Sequence, residues 1–87
     1  MKNAFILRGR MYSFKKANVD VYMQVCKLLD ISFVVLTQRM SECDLEALVS
    51  TMYCSLRDNK GMTFDEFKEI SCEEFELLST LFTEINK

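Results

Sequence analysis

Apolar positions form two short stretches at the start of the chain and a series of helical stripes after them. Residues 4–15 read AFILRGRMYSFK, with the two apolar stretches flanking Arg8-Gly9-Arg10. Gly9 can take the positive φ of a tight turn, so the pattern predicts a β-hairpin. A lone hairpin is marginal in water and must lie on the helices. Asn18 suits a helix N-cap and Asp20 the first turn, which predicts a helix over 19–30. Val21, Val25 and Leu28 share one stripe of that helix, and Tyr22, Cys26 and Leu29 share the next. Residues 31–36, ISFVVL, are rich in β-branched and aromatic types. Strand and helix compete there, and the reading adopted is a short helical or irregular continuation.

Ser41-Glu42-Cys43-Asp44 reads as a loose capping box opening a helix over 42–57. Leu45, Leu48, Val49, Met52 and Leu56 would be its buried stripe. Asp58-Asn59-Lys60-Gly61 would end it, with Gly61 in a left-handed C-terminal position. Thr63-Phe64-Asp65-Glu66 is a second capping box, opening a short helix through Ile70. Ser71-Cys72-Glu73-Glu74 is a third, opening a helix through Asn86. Phe75, Leu78, Phe82 and Ile85 make one stripe of that last helix, widened by Leu77 and Leu81. The face is broad for so small a domain, which suggests that a partner or a second copy covers part of it.

With 87 residues, the chain reads as one domain spanning 1–87, a basic β-hairpin over 1–16 and a helical region over 17–87. It has no proline and two glycines, so little interrupts its helices. The predicted fold is mainly α, a small bundle of about four helices with an N-terminal β-hairpin. No signal-like apolar stretch precedes Arg8, and the run 31–36 is far too short to span a bilayer, so a cytoplasmic protein is expected.

The formal net charge of −2 is unevenly spread. Residues 1–16 carry Lys2, Arg8, Arg10, Lys15 and Lys16 and no acid. Residues 62–87 carry seven acids, Asp65, Glu66, Glu69, Glu73, Glu74, Glu76 and Glu84, against Lys68 and Lys87. The basic cluster raises nucleic-acid binding, but a strand edge protected by lysine and arginine is the commoner use. An acidic C-terminal region would also repel phosphates.

The chain has four cysteines, Cys26, Cys43, Cys54 and Cys72, no C-x-x-C pair and no histidine. Small buried hydrophobes in a reducing compartment are the favoured reading, with disulfides and a four-thiolate metal site as alternatives. The stretch 58–67 looks like half of a calcium loop but fails on spacing: Gly61 and Glu66 are five apart where that loop needs six. Without histidine, no Ser/His or Cys/His nucleophile can be assembled. There is no glycine-rich phosphate loop. No enzyme activity, metal or cofactor is expected. Phe64, Phe67, Phe75 and Phe82 are read as core first, and as the lining of a groove for a partner's amphipathic helix second. Arg8 and Arg10 complete the candidate partner-binding set.

The order of these segments has a familiar look. A basic hairpin runs into Tyr12-Ser13-Phe14-Lys15-Lys16-Ala17-Asn18-Val19, and Met62-Thr63-Phe64-Asp65-Glu66-Phe67 opens the C-terminal helices. The pattern resembles the small tail assembly chaperones of long-tailed bacteriophages. That resemblance implies a protein-binding role during tail morphogenesis. The partner would be the tape measure protein, with tail tube protein displacing the chaperone, and the place would be the host cytoplasm. Two alternatives remain: a phage-encoded inhibitor of a host defence protein acting through the acidic C-terminal helices, and a small nucleic-acid-binding regulator using the basic hairpin.

Overall fold

The computed structural model describes residues 4–87; Lys2 of the basic cluster lies outside them. Two strands, β1 (Ala4–Leu7) and β2 (Arg10–Ser13), precede five helices: α1 (Val19–Leu29), α2 (Phe33–Ser41), α3 (Leu45–Cys54), α4 (Phe64–Phe67) and α5 (Cys72–Ile85). The mainly helical architecture with an N-terminal hairpin is the one expected. The helical continuation anticipated after residue 30 forms a separate helix, α2, which makes five helices rather than about four.

The hairpin closes where its turn chemistry placed it. Leu7 pairs with Arg10, leaving Arg8 and Gly9 as a two-residue loop. Both take positive φ, 54° and 77°, as a primed hairpin turn requires. Alternation then turns Phe5, Leu7 and Tyr12 inward and Ile6 and Met11 outward. The chain after β2 is pinned to the end of α3: Phe14 bridges Leu56, and the Lys15 amide donates to the Ser55 carbonyl at 2.8 Å.

Helix caps set most boundaries. Asn18 caps α1 by accepting from the Val21 amide. Thr63 with Glu66, and Ser71 with Glu74, form complete reciprocal capping boxes on α4 and α5. The Ser41 box does not form. Ser41 is the last residue of α2, and its hydroxyl donates to the Gln38 carbonyl. Asp44 caps α3 instead, accepting from the Ala47 amide at 3.1 Å. Arg39 decides the matter. Its guanidinium holds both carboxylate oxygens of Asp44 at 3.1 Å and reaches Glu46 at 2.8 Å. Cys43, at φ 57°, turns the chain between the helices. Helix α3 therefore starts later than expected, and it ends at Cys54 rather than 57. Gly61 does adopt positive φ, 82°, but in a turn seven residues beyond the helix.

Helix α3 is the central element, with Ala47, Val49, Ser50, Thr51, Met52 and Cys54 buried. Its buried hydroxyls are satisfied within the helix, Ser50 donating to Glu46 and Thr51 to Ala47. On one side lies a cluster of Leu7, Tyr12, Phe14, Val49, Met52, Leu56, Met62, Phe67 and Leu78. On the other lies a smaller one of Val21, Val25, Leu36, Ala47 and Cys54. Tyr53 packs against both. Three residues assigned to the apolar stripes are exposed, Leu28, Leu45 and Leu77. Leu45 is the first residue of α3, ahead of the face that the helix presents to the core.

Candidate functional site

The basic hairpin and the acidic α4 region meet each other. Arg8 forms ion pairs with Glu66 at 3.3 Å and Glu69 at 2.7 Å. Arg10 donates to the Lys60 carbonyl at 3.1 Å. The Lys60 ammonium donates to the Met11 carbonyl and lies over the Tyr12 ring. The Glu66 carboxyl is held below its usual range, first by the Thr63 amide, then by the Thr63 hydroxyl, with the Arg8 and Arg10 charges adding to them. Part of the charge segregation in the sequence is thus internal complementarity, carried by Arg8 with two of the seven acids.

The four phenylalanines do not form one groove. Phe67 is fully buried, so no partner can touch it in this fold. Phe64 stacks at a tilt on Tyr53, 5.5 Å between centroids, under the Lys68 ammonium. Phe82 meets Phe14 edge-on at 5.4 Å. Phe75 lines a 530 Å³ cleft with Leu45, Val49 and Ile70, whereas Phe82 lines a different one with Met40 and Leu48. The core reading of these rings accounts for most of their surface.

Exposed large apolar side chains occur on the hairpin (Ile6, Met11), α3 (Leu45) and α5 (Leu77), but most of them lie where α1 meets α2. Val19, Tyr22, Met23, Cys26, Ile31 and Phe33 line a cleft of about 670 Å³. Val19 is 75% exposed, Met23 64%, Phe33 55% and its neighbour Val34 74%. The Tyr22 and Phe33 rings brace the cleft edge-to-face, 6.1 Å apart. Asp20, Gln24, Lys27 and Asp30 supply its polar margin.

Local structure explains the exposure. Ser32 caps α2 through the Val35 amide. The helix then buries Leu36, with Met40 packed behind it four residues on. A helix that presents Leu36 and Met40 inward must turn Val34 outward, whereas Phe33 shares the stripe of Leu36 and Met40 and is exposed as the first residue of α2, against Tyr22. On α1, burial of Val21 and Val25 likewise leaves Val19 and Met23 facing outward, with the partly buried Cys26 at the edge between that stripe and the inner cluster. The signal was present in the sequence as a second i, i+4, i+7 stripe, Val19-Met23-Cys26, beside an apolar run too dense for so short a helix to bury.

All four cysteines are free thiols. Cys54 is buried as expected, and burial pushes its thiol up to about 11. Cys26 is partly buried. Cys43 and Cys72 are exposed, against expectation, because one lies in the α2–α3 turn and the other begins α5. Among the described residues no group of three or more histidine, cysteine or acidic side chains is placed to hold a metal ion. No helix among them is long and apolar enough to cross a membrane. Compared with known protein families, with curated proteins and with solved structures, the chain finds no match.

Proposed function

We propose that this chain is a non-enzymatic protein-binding module whose α1–α2 face receives an amphipathic helix of another protein. The observation that carries the reading is the set of large apolar side chains exposed along one cleft, Val19, Met23 and Phe33, with Val34 exposed next to Phe33 on α2. Small folded proteins bury such residues unless a partner covers them. A helix laid in the cleft would insert side chains at i, i+3 or i+4, and i+7 while its polar side stayed in water. The sequence resemblance to phage tail assembly chaperones suggests a tape measure protein as that partner, bound in the host cytoplasm. A long tape measure helix offers many copies of a modest site, and modest contacts summed over copies stay reversible.

The charge-based alternatives have less support. Arg8 is engaged with Glu66 and Glu69 in surface ion pairs, which leaves fewer free charges on each of the two segments those readings rely on. The test is co-expression with the tape measure protein from the same genome, followed by size-exclusion chromatography. Co-elution that is lost in Met23→Glu and Val34→Glu supports the proposal. A tape measure protein that stays insoluble with or without this chain defeats the tail-assembly assignment. Co-elution untouched by both substitutions defeats the face.

A further inference from the structure

We infer that in the free protein a second copy of this chain covers the α1–α2 face, as an antiparallel, two-fold symmetric pair of α1 helices. This rests on the reading of that face as a binding surface, and it names the occupant when no partner is present. The argument is self-complementarity. Asp20 lies in the first turn of α1 and Lys27 in the last, and both border the cleft. They are seven residues apart, two helical turns, so they project from one side of the helix, alongside the outer stripe of Val19 and Met23. A two-fold axis perpendicular to α1 near Met23 and Gln24 reverses the helix and keeps that flank on the same side. Asp20 of each copy then meets Lys27 of the other, and the apolar stripes face each other between the ion pairs.

Other features agree. Neither Asp20 nor Lys27 forms an ion pair among the described residues; Asp20 accepts only from the Gln24 amide nitrogen, at 2.7 Å. The two helix dipoles oppose each other in this arrangement, which is the favourable sense. The same operation brings Phe33, which lies against Tyr22 on the opposite flank, toward its counterpart. A pair held in this way hides its apolar surface until a partner helix competes for it, because both would occupy the same cleft.

Sedimentation equilibrium of the full chain, from micromolar to millimolar, tests the inference. The expected mass rises from the monomer's 10.2 kDa toward twice that. Asp20→Lys alone and Lys27→Asp alone place like charges together at both symmetric contacts, and each should weaken dimerisation at least tenfold (a change on the order of 1.4 kcal/mol). The double variant D20K/K27D restores opposite charges across the axis and should recover the wild-type midpoint. This rescue separates pairing from helix stability. Both substitutions oppose the dipole of α1, so the double variant would be the worst of the three if only the helix mattered. A chain that remains monomeric to millimolar concentration overturns the inference, as does a dimer indifferent to all three variants. A monomeric wild type that still co-elutes with the tape measure protein removes the dimer and leaves partner binding standing. A dimer with the expected charge dependence but no such partner does the reverse.

Discussion

The two sides of α3 use apolar residues differently. On the side of the hairpin and α5, nearly every aromatic ring points inward. Phe14 sits fully buried between Phe5, at 4.9 Å, and Phe82, at 5.4 Å. On the side of α1 and α2 the buried cluster is small, and six large apolar side chains are exposed, Val19, Met23, Leu28, Phe33, Val34 and Val35, against Ile6, Met11 and Leu77 on the hairpin and α5. The first side has the packing of a stability core. The second has only enough burial to hold two helices in place and present the remainder. In so small a protein the buried surface is limited, and the proposed function assigns the apolar residues left in water on this side to a partner.

Removing the central ring of the larger cluster should have the greatest effect. Phe14→Ala is expected to cost about 3–5 kcal/mol in chemical denaturation, enough to leave the chain partly unfolded. Leu36→Ala removes the one fully buried side chain of α2. It should cost about 2–4 kcal/mol, and helical circular dichroism should fall by a fraction matching α2. Loss of the same signal in the Phe14 variant before any core unfolding would erase the contrast between the two sides.

Capping sharpens the comparison on a smaller scale. Ser71→Ala breaks a two-bond capping box on α5 and should cost about 1 kcal/mol. Ser32→Ala breaks a single 3.3 Å bond on α2, so its thermal shift should be smaller than that of Ser71→Ala.

Acid should weaken the turns on both sides of α3. The Arg39 side chain, then the Ala47 amide, hold the Asp44 carboxyl below its ordinary 3.8. Glu66 is held below its ordinary 4.5 by Thr63. Folded values below unfolded ones mean that the stabilisation is complete above about pH 4.5 and lost as pH falls through the lower folded values. Urea midpoints measured against pH should fall on the acid side, and Asp44→Asn with Glu66→Gln should flatten that limb. The smallest stability effect belongs to the exposed face. Val34→Ser should move the unfolding free energy by less than about 0.5 kcal/mol while weakening partner binding.

Local chemistry made the hairpin and three of the caps legible. Gly9 could supply one positive φ, and the Ser or Thr plus Glu spacing at 63–66 and 71–74 admitted few alternatives. The α2–α3 boundary was not legible, because Ser41 and Asp44 are both good N-caps. The choice depends on Arg39 folding back onto Asp44, which is a tertiary contact. The face was missed for a related reason. Periodicity marks stripes as apolar without saying which of them the fold covers, and α1 carries two. The phenylalanines were conspicuous by type, yet in the fold Phe14 packs on Phe82, and Tyr53 on Phe64 and Phe67.

The most direct test of the central claim is amide chemical-shift mapping of the chain as a soluble tape measure helix is titrated in. The expected result is shifts concentrated at 19–26 and 31–35, around the α1–α2 cleft, with α4 and α5 nearly silent. Shifts centred on Phe64, Phe75 and Phe82 instead would contradict the account and return the binding surface to the side that packs the core.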